Sequence, residues 1–322
     1  MREVVSGQMI ESTNACHDEA DVVLILGAAR SGSTLLALLL ASHPDAGTIG
    51  ETSGLGFITG VDIDEYRCSC GARIRECQFW QRVGREMSAR GHSLDVAHFG
   101  TNFRLPTHVW VDRLLRVQHR GPLLEWARDM ALALSPAWRS ARPVIERRNG
   151  VLAEAVRNVY GVRVFVDSSK NPERLKFLLR INSLHSKVVY LVRDGRGTAL
   201  SYMKHEEWGM SKAANEWRRN TRACERCLAT LRSDRWMRIR YEDLCKDPRA
   251  SLSSVFEFLG LDQAAELPDF AAAGNHVIGN HMRLKATGDV RLDERWKTEL
   301  TSAQLACFDG VAGDMNRKYG YD

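Results

Sequence analysis

Residues 22–36, VVLILGAARSGSTLL, constrain this chain more than any other segment. An unbroken apolar run ends at Gly27, the pattern of a strand buried on both faces. Arg30, Ser31, Gly32, Ser33 and Thr34 follow, and then the leucine-rich LLALLLASH. The strand must therefore turn sharply into a helix through small residues. Such a turn lets backbone N–H groups approach an anion, and the helix N-terminus adds its positive partial charge. The spacing G-x-x-x-x-G-x-[ST] is that of a phosphate-binding loop, with Ser33 where a kinase or ATPase carries its lysine. A Walker lysine handles the β and γ phosphates of a triphosphate beside Mg²⁺. Without it the loop is expected to cradle a smaller anion, with Arg30 as the nearest fixed cation.

The rest of the chain supports an α/β reading. VRVFVDSSK (162–170) and SKVVYLVRDGR (186–196) are buried runs that end in polar residues, and each is followed by a helical pattern. WMRIRYEDL (236–244) is more alternating and is expected as a strand nearer an edge. TIGETSGLGF holds a further short strand and a glycine-rich loop. Strands separated by helices imply a parallel sheet with right-handed crossovers. Such sheets bind ligands beyond the carboxyl ends of their strands. GAARSGST, DSSK and RDGR sit at those ends, so three distant motifs should converge on one crevice.

Residues 1–20 are expected to be a disordered tail, and 21–322 a single domain. A helical insertion is expected over about 60–160, with VWVDRLLRVQ and PLLEWARDMALAL as amphipathic helices. The 322 residues are 44% hydrophobic, ample for one large core. The first 20 residues lack the apolar core of a signal peptide, and no run approaches the ~20 residues of a membrane span. The expectation is a cytoplasmic protein with no membrane anchor. A net charge of +5 suits anionic ligands. Without a long basic block or a recognised motif, nucleic acid is not expected as a partner.

The eight cysteines are scattered, as in a reduced protein. Cys68, Cys70 and Cys77 cluster, but three ligands without an obvious fourth make a weak zinc signature. Packing or a local bridge is the favoured role. Cys224 and Cys227 form a CxxC inside a helical pattern, where a redox or metal role is not expected.

With these residues in place, the chain resembles the sulfotransferases that use 3′-phosphoadenosine 5′-phosphosulfate. Among them it is most similar to the tyrosylprotein sulfotransferase-like and bacterial carbohydrate-type branch. ARSGSTLL resembles the family's 5′-phosphosulfate loop. VVYLVRDGRGTALSY resembles its 3′-phosphate segment, with Arg193 and Ser201 on the two ligand positions. IRYEDLCKDP resembles the strand and turn that follow, and IGNHMR with DERW the C-terminal cofactor loop. The likeness covers about residues 22–60 and 162–300. It implies a P-loop-type parallel sheet flanked by helices, direct sulfuryl transfer and no metal requirement. The acceptor it implies is a hydroxyl on a small molecule, carbohydrate, lipid or peptide.

The resemblance also suggests roles. Arg30 and the amides of Ser31, Gly32, Ser33 and Thr34 would hold the 5′-phosphate. Lys170, at a strand's carboxyl end, could reach the bridging oxygen or the sulfuryl group. Glu51, in a G-E-T context after the loop helix, is the leading base, with His43 and His205 as runners-up. His43 abuts a helix-ending proline, and His205 could face the 3′-phosphate side. Arg193 and Ser201 would bind the 3′-phosphate, and Arg283 is a further phosphate or adenine contact. Tyr241 and Asp243 are expected to be structural. The DGR at 194–196 departs from the more common D-P-R. Two other readings stay open: a P-loop kinase or hydrolase using Asp167 to bind Mg²⁺, and a binding module without turnover.

Overall fold

A computed structural model describes residues 20–55, 62–116, 121–181, 184–263, 274–279 and 290–322. Five parallel strands form one sheet: β1 (Val22–Leu26), β2 (Ala46–Gly50), β3 (Val164–Lys170), β4 (Ser186–Val192) and β5 (Trp236–Arg240). Their order is β2-β3-β1-β4-β5, so the strand that begins the phosphate-type loop lies at the centre. Alternation along the strands makes two cores. Val22, Leu24, Leu26, Phe165, Val188, Tyr190 and Val192 point to one face. Val23, Ile25, Val164, Val166, Val189 and Leu191 point to the other. Each such side chain contributes about 1.5–3 kcal/mol when fully buried, which is why these strands read as continuous apolar runs.

Helices cover both faces. α1 (Ser33–Leu40), α9 (Tyr241–Lys246) and α10 (Pro248–Leu259) pack on the second face. Between β2 and β3 lie α2 (Gln78–Ala89), α3 (Val109–Leu115), α4 (Pro122–Leu134) and α5 (Pro136–Tyr160). α5 starts on a Ser135 cap, whose side chain accepts from Trp138 N–H. α6 (Pro172–Leu178) follows β3, while α7 (Gly195–Glu206) and α8 (Met210–Leu228) follow β4. α11 (Trp296–Glu299) and α12 (Ser302–Lys318) end the chain.

The expected strand at 236–244 is shorter than the sequence pattern suggested. β5 stops at Arg240, and Tyr241 opens α9. Glu242 explains the break, because its carboxylate accepts from Asp194 N–H (3.0 Å) and Tyr321 O–H (2.6 Å). Those bonds hold the start of α9 against the end of β4. β5 is an edge strand, as its alternation implied. Cys224 and Cys227 lie on the buried side of α8. Burial pushes Cys227 up to about 12 and Cys224 well above the ordinary thiol range, and both side chains pack in the core.

Residues 1–19 of the expected tail lie outside the described residues, as do 280–289 of the C-terminal loop. Among the described residues, no helix is long and apolar enough to cross a membrane.

Candidate active site

Strand register brings the motifs to one edge of the sheet. Leu26 pairs with Lys170 across β1 and β3, and Gly50 pairs with Asp167 across β2 and β3. Glu51 therefore emerges beside Lys170. The two meet as an ion pair, Lys170 Nζ to Glu51 Oε1 at 2.6 Å, with both side chains largely covered. They are 119 residues apart in sequence. Lys170 takes a left-handed backbone (φ 61), as does Arg30 (φ 67). For residues with a Cβ that conformation costs of order 1–3 kcal/mol and clusters where function requires it.

The central loop is built for close approach. Gly32 has φ 95, and a Cβ there would lie 2.6 Å from the Tyr241 ring. Only glycine allows α1 to start that close to α9. Ser31 is buried, and its Oγ has no partner among the described residues. A buried orphan hydroxyl inside a loop of this spacing suits an anion acceptor. Arg30 reaches out to Glu206 (3.0 Å) and is about a quarter exposed.

Arg193 links this loop to the next strand end. It is buried, donates Nη1 to the Arg30 carbonyl (3.0 Å), and lies over the Tyr241 ring at 4.5 Å. Its Nη2 meets Asp293 Oδ2 at 3.0 Å. Asp293 opens the DERW segment, but its pairing with Arg193 was not anticipated from the sequence. Arg295 and Arg193 hold its carboxyl well below the usual carboxylate range, against an opposing push from burial. Both terminal nitrogens of Arg193 thus have protein partners. Nη2 also donates to the Asp293 carbonyl (3.2 Å), so a phosphate here must use the remaining Nη1–H or displace Asp293. Ser201, Lys204 and His205 line the same recess as Arg193, with Trp296 stacked over Arg196 at 4.0 Å. Burial and the Arg30 charge hold His205 below the ordinary imidazole range.

His205 therefore lies on the Arg193 side. His43 is buried with both ring nitrogens committed: Asp45 N–H donates to Nδ1 (3.0 Å), which leaves Nε2–H to donate to the Asp262 carbonyl (3.0 Å). That makes His43 a structural histidine. Tyr241 is structural and also frames the site, since it supports Gly32 and Arg193 and bonds the backbone at 291 and 293. Arg283 lies outside the described residues.

Asp167 has no room for a metal role. It is fully buried among Arg174, Thr52 Oγ1 (2.8 Å) and Ser169. Burial alone would raise its pKa, but the Arg174 charge and the hydrogen bonds outweigh it and lower the carboxyl. The departure at 194–196 also has a cause. Gly195 N–H donates to Asn316 Oδ1 (2.8 Å), and a Cβ there would sit 2.5 Å from Phe308. Proline would lose the donor and collide.

A lysine-free loop, a carboxylate–ammonium ion pair and a buried arginine meet on one edge of a parallel sheet, an arrangement that suits a group-transfer enzyme acting on an anionic donor. The chain belongs to the sulfotransferase family, whose model matches residues 22–265. Two solved structures share the fold at 19% identity. One is the sulfotransferase domain from the Synechococcus PCC 7002 olefin synthase, with a TM-score of 0.50 over 94% of each chain. The other is the sulfotransferase domain from the curacin biosynthetic pathway, with a TM-score of 0.50 over 94% of this chain and 98% of that one. No curated protein matches the sequence.

Proposed function

We propose that the protein moves the sulfuryl group of 3′-phosphoadenosine 5′-phosphosulfate to a hydroxyl acceptor by in-line transfer. The observation that carries this reading is the Glu51–Lys170 pair at the strand ends beside the loop. Lys170 occupies Glu51 Oε1, so Oε2 takes the acceptor proton. The acceptor oxygen then bonds to sulfur as the bond from sulfur to the bridging oxygen breaks. The electron pair leaves on the 5′-phosphate oxygen, where Lys170 and Arg30 meet the developing charge. The products are a sulfate ester and 3′,5′-adenosine bisphosphate.

Ser31, Gly32, Ser33 and Thr34 hold the 5′-phosphate through backbone amides. Arg193 and Ser201 hold the 3′-phosphate, with Arg283 as a further contact. The transfer step uses no metal, in line with Ser33 at the lysine position and the saturated Asp167. Residues 21–322 act as one domain with 60–160 inserted, and the free thiols at Cys224 and Cys227 suit the cytoplasm. The acceptor is a small molecule, carbohydrate, lipid or peptide bearing a hydroxyl.

Calorimetry tests the donor assignment. The bisphosphate should bind more tightly than AMP by roughly 1.5–3 kcal/mol, the worth of a charge-assisted phosphate contact. Equal affinities would remove the 3′-phosphate assignment. Labelled donor with an acceptor panel, with and without added Mg²⁺, tests the transfer. Tight Mg²⁺–ATP binding would favour a kinase instead.

A further inference from the structure

We propose that Cys68, Cys70, Cys77 and His276 form a structural zinc site that clamps the 274–279 segment beside Glu51. The four donor atoms lie within 4.8 Å of one another, although His276 is 199 residues from Cys77 in sequence. Cys70 Sγ and Cys77 Sγ are 3.6 Å apart. His276 Nδ1 is 3.5 Å from Cys68 Sγ and 3.3 Å from Cys77 Sγ. With Zn–S near 2.3 Å and Zn–N near 2.0–2.1 Å, a tetrahedral ion spaces its sulfurs about 3.8 Å apart and sulfur from nitrogen about 3.6 Å. Cys₃His is a familiar composition for closed zinc sites.

The scaffold around the donors is in place. The Arg67 and Arg73 backbones bridge, Cys68 N–H donates to the Ala72 carbonyl (2.9 Å), and Gly71 turns the chain with φ 87. This tight turn presents Cys68 and Cys70 together. Cys77 is the N-cap of α2, where the helix favours a thiolate. The His276 ring stacks on Phe79 at 4.5 Å, and the His276 backbone N–H donates to Tyr160 Oη (2.8 Å). Ser69 Oγ accepts from Val277 N–H (2.8 Å) and donates to the Asn275 carbonyl. Cys68 and Cys77 are buried, whereas Cys70 is exposed and gives an ion a way in.

Four protein ligands leave no open position, so the site is structural and takes no part in transfer. Its consequence is local. Ile278 N–H donates to the Ile49 carbonyl (3.0 Å), and a Cβ on Gly279 would approach Glu51 Cγ at 3.9 Å. Zinc would tie the insertion to the strand that ends at the proposed base.

The test is metal analysis of the full chain expressed with zinc in the medium. Wild type and Cys307→Ser should carry about one zinc per chain. Cys70→Ser and His276→Ala should lose affinity by about 10–100-fold or more. Cobalt exchanged into wild type should give the intense visible band of tetrahedral thiolate coordination, weakened in Cys70→Ser. Because Cys70 is exposed, its variant keeps the fold testable. Zinc far below one per wild-type chain, zinc unchanged in both ligand variants, or a Cys70–Cys77 disulfide by mass spectrometry would each overturn the proposal.

Discussion

The carboxyl edge of the sheet and the helices between β2 and β3 solve opposite problems. At the edge, charged groups are drawn inward and paired: Glu51 with Lys170, Arg193 with Asp293, and Asp167 with Arg174. On the helices between β2 and β3, Trp80, Met87 and Trp138 are buried but other large apolar groups stay outside. Eight of them stand exposed on α3, α4 and α5, including Trp110 at 76% and Leu123 at 82%. The edge spends stability on polar burial, as a chemical site does, whereas α3, α4 and α5 leave part of their apolar area in water. Substitutions in the two regions should therefore differ in kind.

The largest effect is expected for Glu51→Gln. Turnover should fall about 10²–10⁴-fold, the usual contribution of a general base, while donor binding persists. Steady-state kinetics with calorimetry checks this. Near-wild-type turnover, with a large loss for His205→Ala instead, would move the base to the recess of Arg193. Lys170→Ala should likewise lower turnover more than donor affinity. A change confined to apparent donor affinity would make its role binding alone.

Arg174→Met should destabilise the fold by about 3–5 kcal/mol at pH 7, because it leaves Asp167 buried without its partner. The sign with pH follows from the lowered carboxyl of Asp167. Its stabilisation in wild type is present above the unfolded carboxylate pKa of about 3.9 and is lost as pH falls through the lower folded value. In the variant, protonation relieves the buried charge. Denaturant titrations at pH 7 and pH 4 should show the gap narrowing in acid, and a constant gap would mean that packing, not charge, dominates.

Arg30→Ala should weaken donor binding by roughly 1.5–3 kcal/mol with little change in stability. Smallest of all, Leu123→Ser should change stability by no more than about 0.5 kcal/mol. A large loss on thermal melting would mean that the apolar face of α4 is covered in solution, and the contrast between the two regions would fail.

The alternation of apolar runs and helical patterns was enough to read the parallel sheet, its edge strand β5 and the loop after β1. Which residues share a face within an element depends only on local spacing, and that is legible in a single chain. The converging strand ends followed from the same logic. Partners could not be read in this way. His276 as the fourth member of the cysteine cluster, Asp293 on Arg193, and Arg174 on Asp167 each join elements whose adjacency depends on strand order and register. The end of β5 at Arg240 was likewise decided from outside, by Glu242 bonding to Asp194 and Tyr321. Sequence by itself determined the elements and the chemistry available at their ends. Only the tertiary structure decided which charges neutralise one another, because that depends on distances across the sheet that no local pattern encodes.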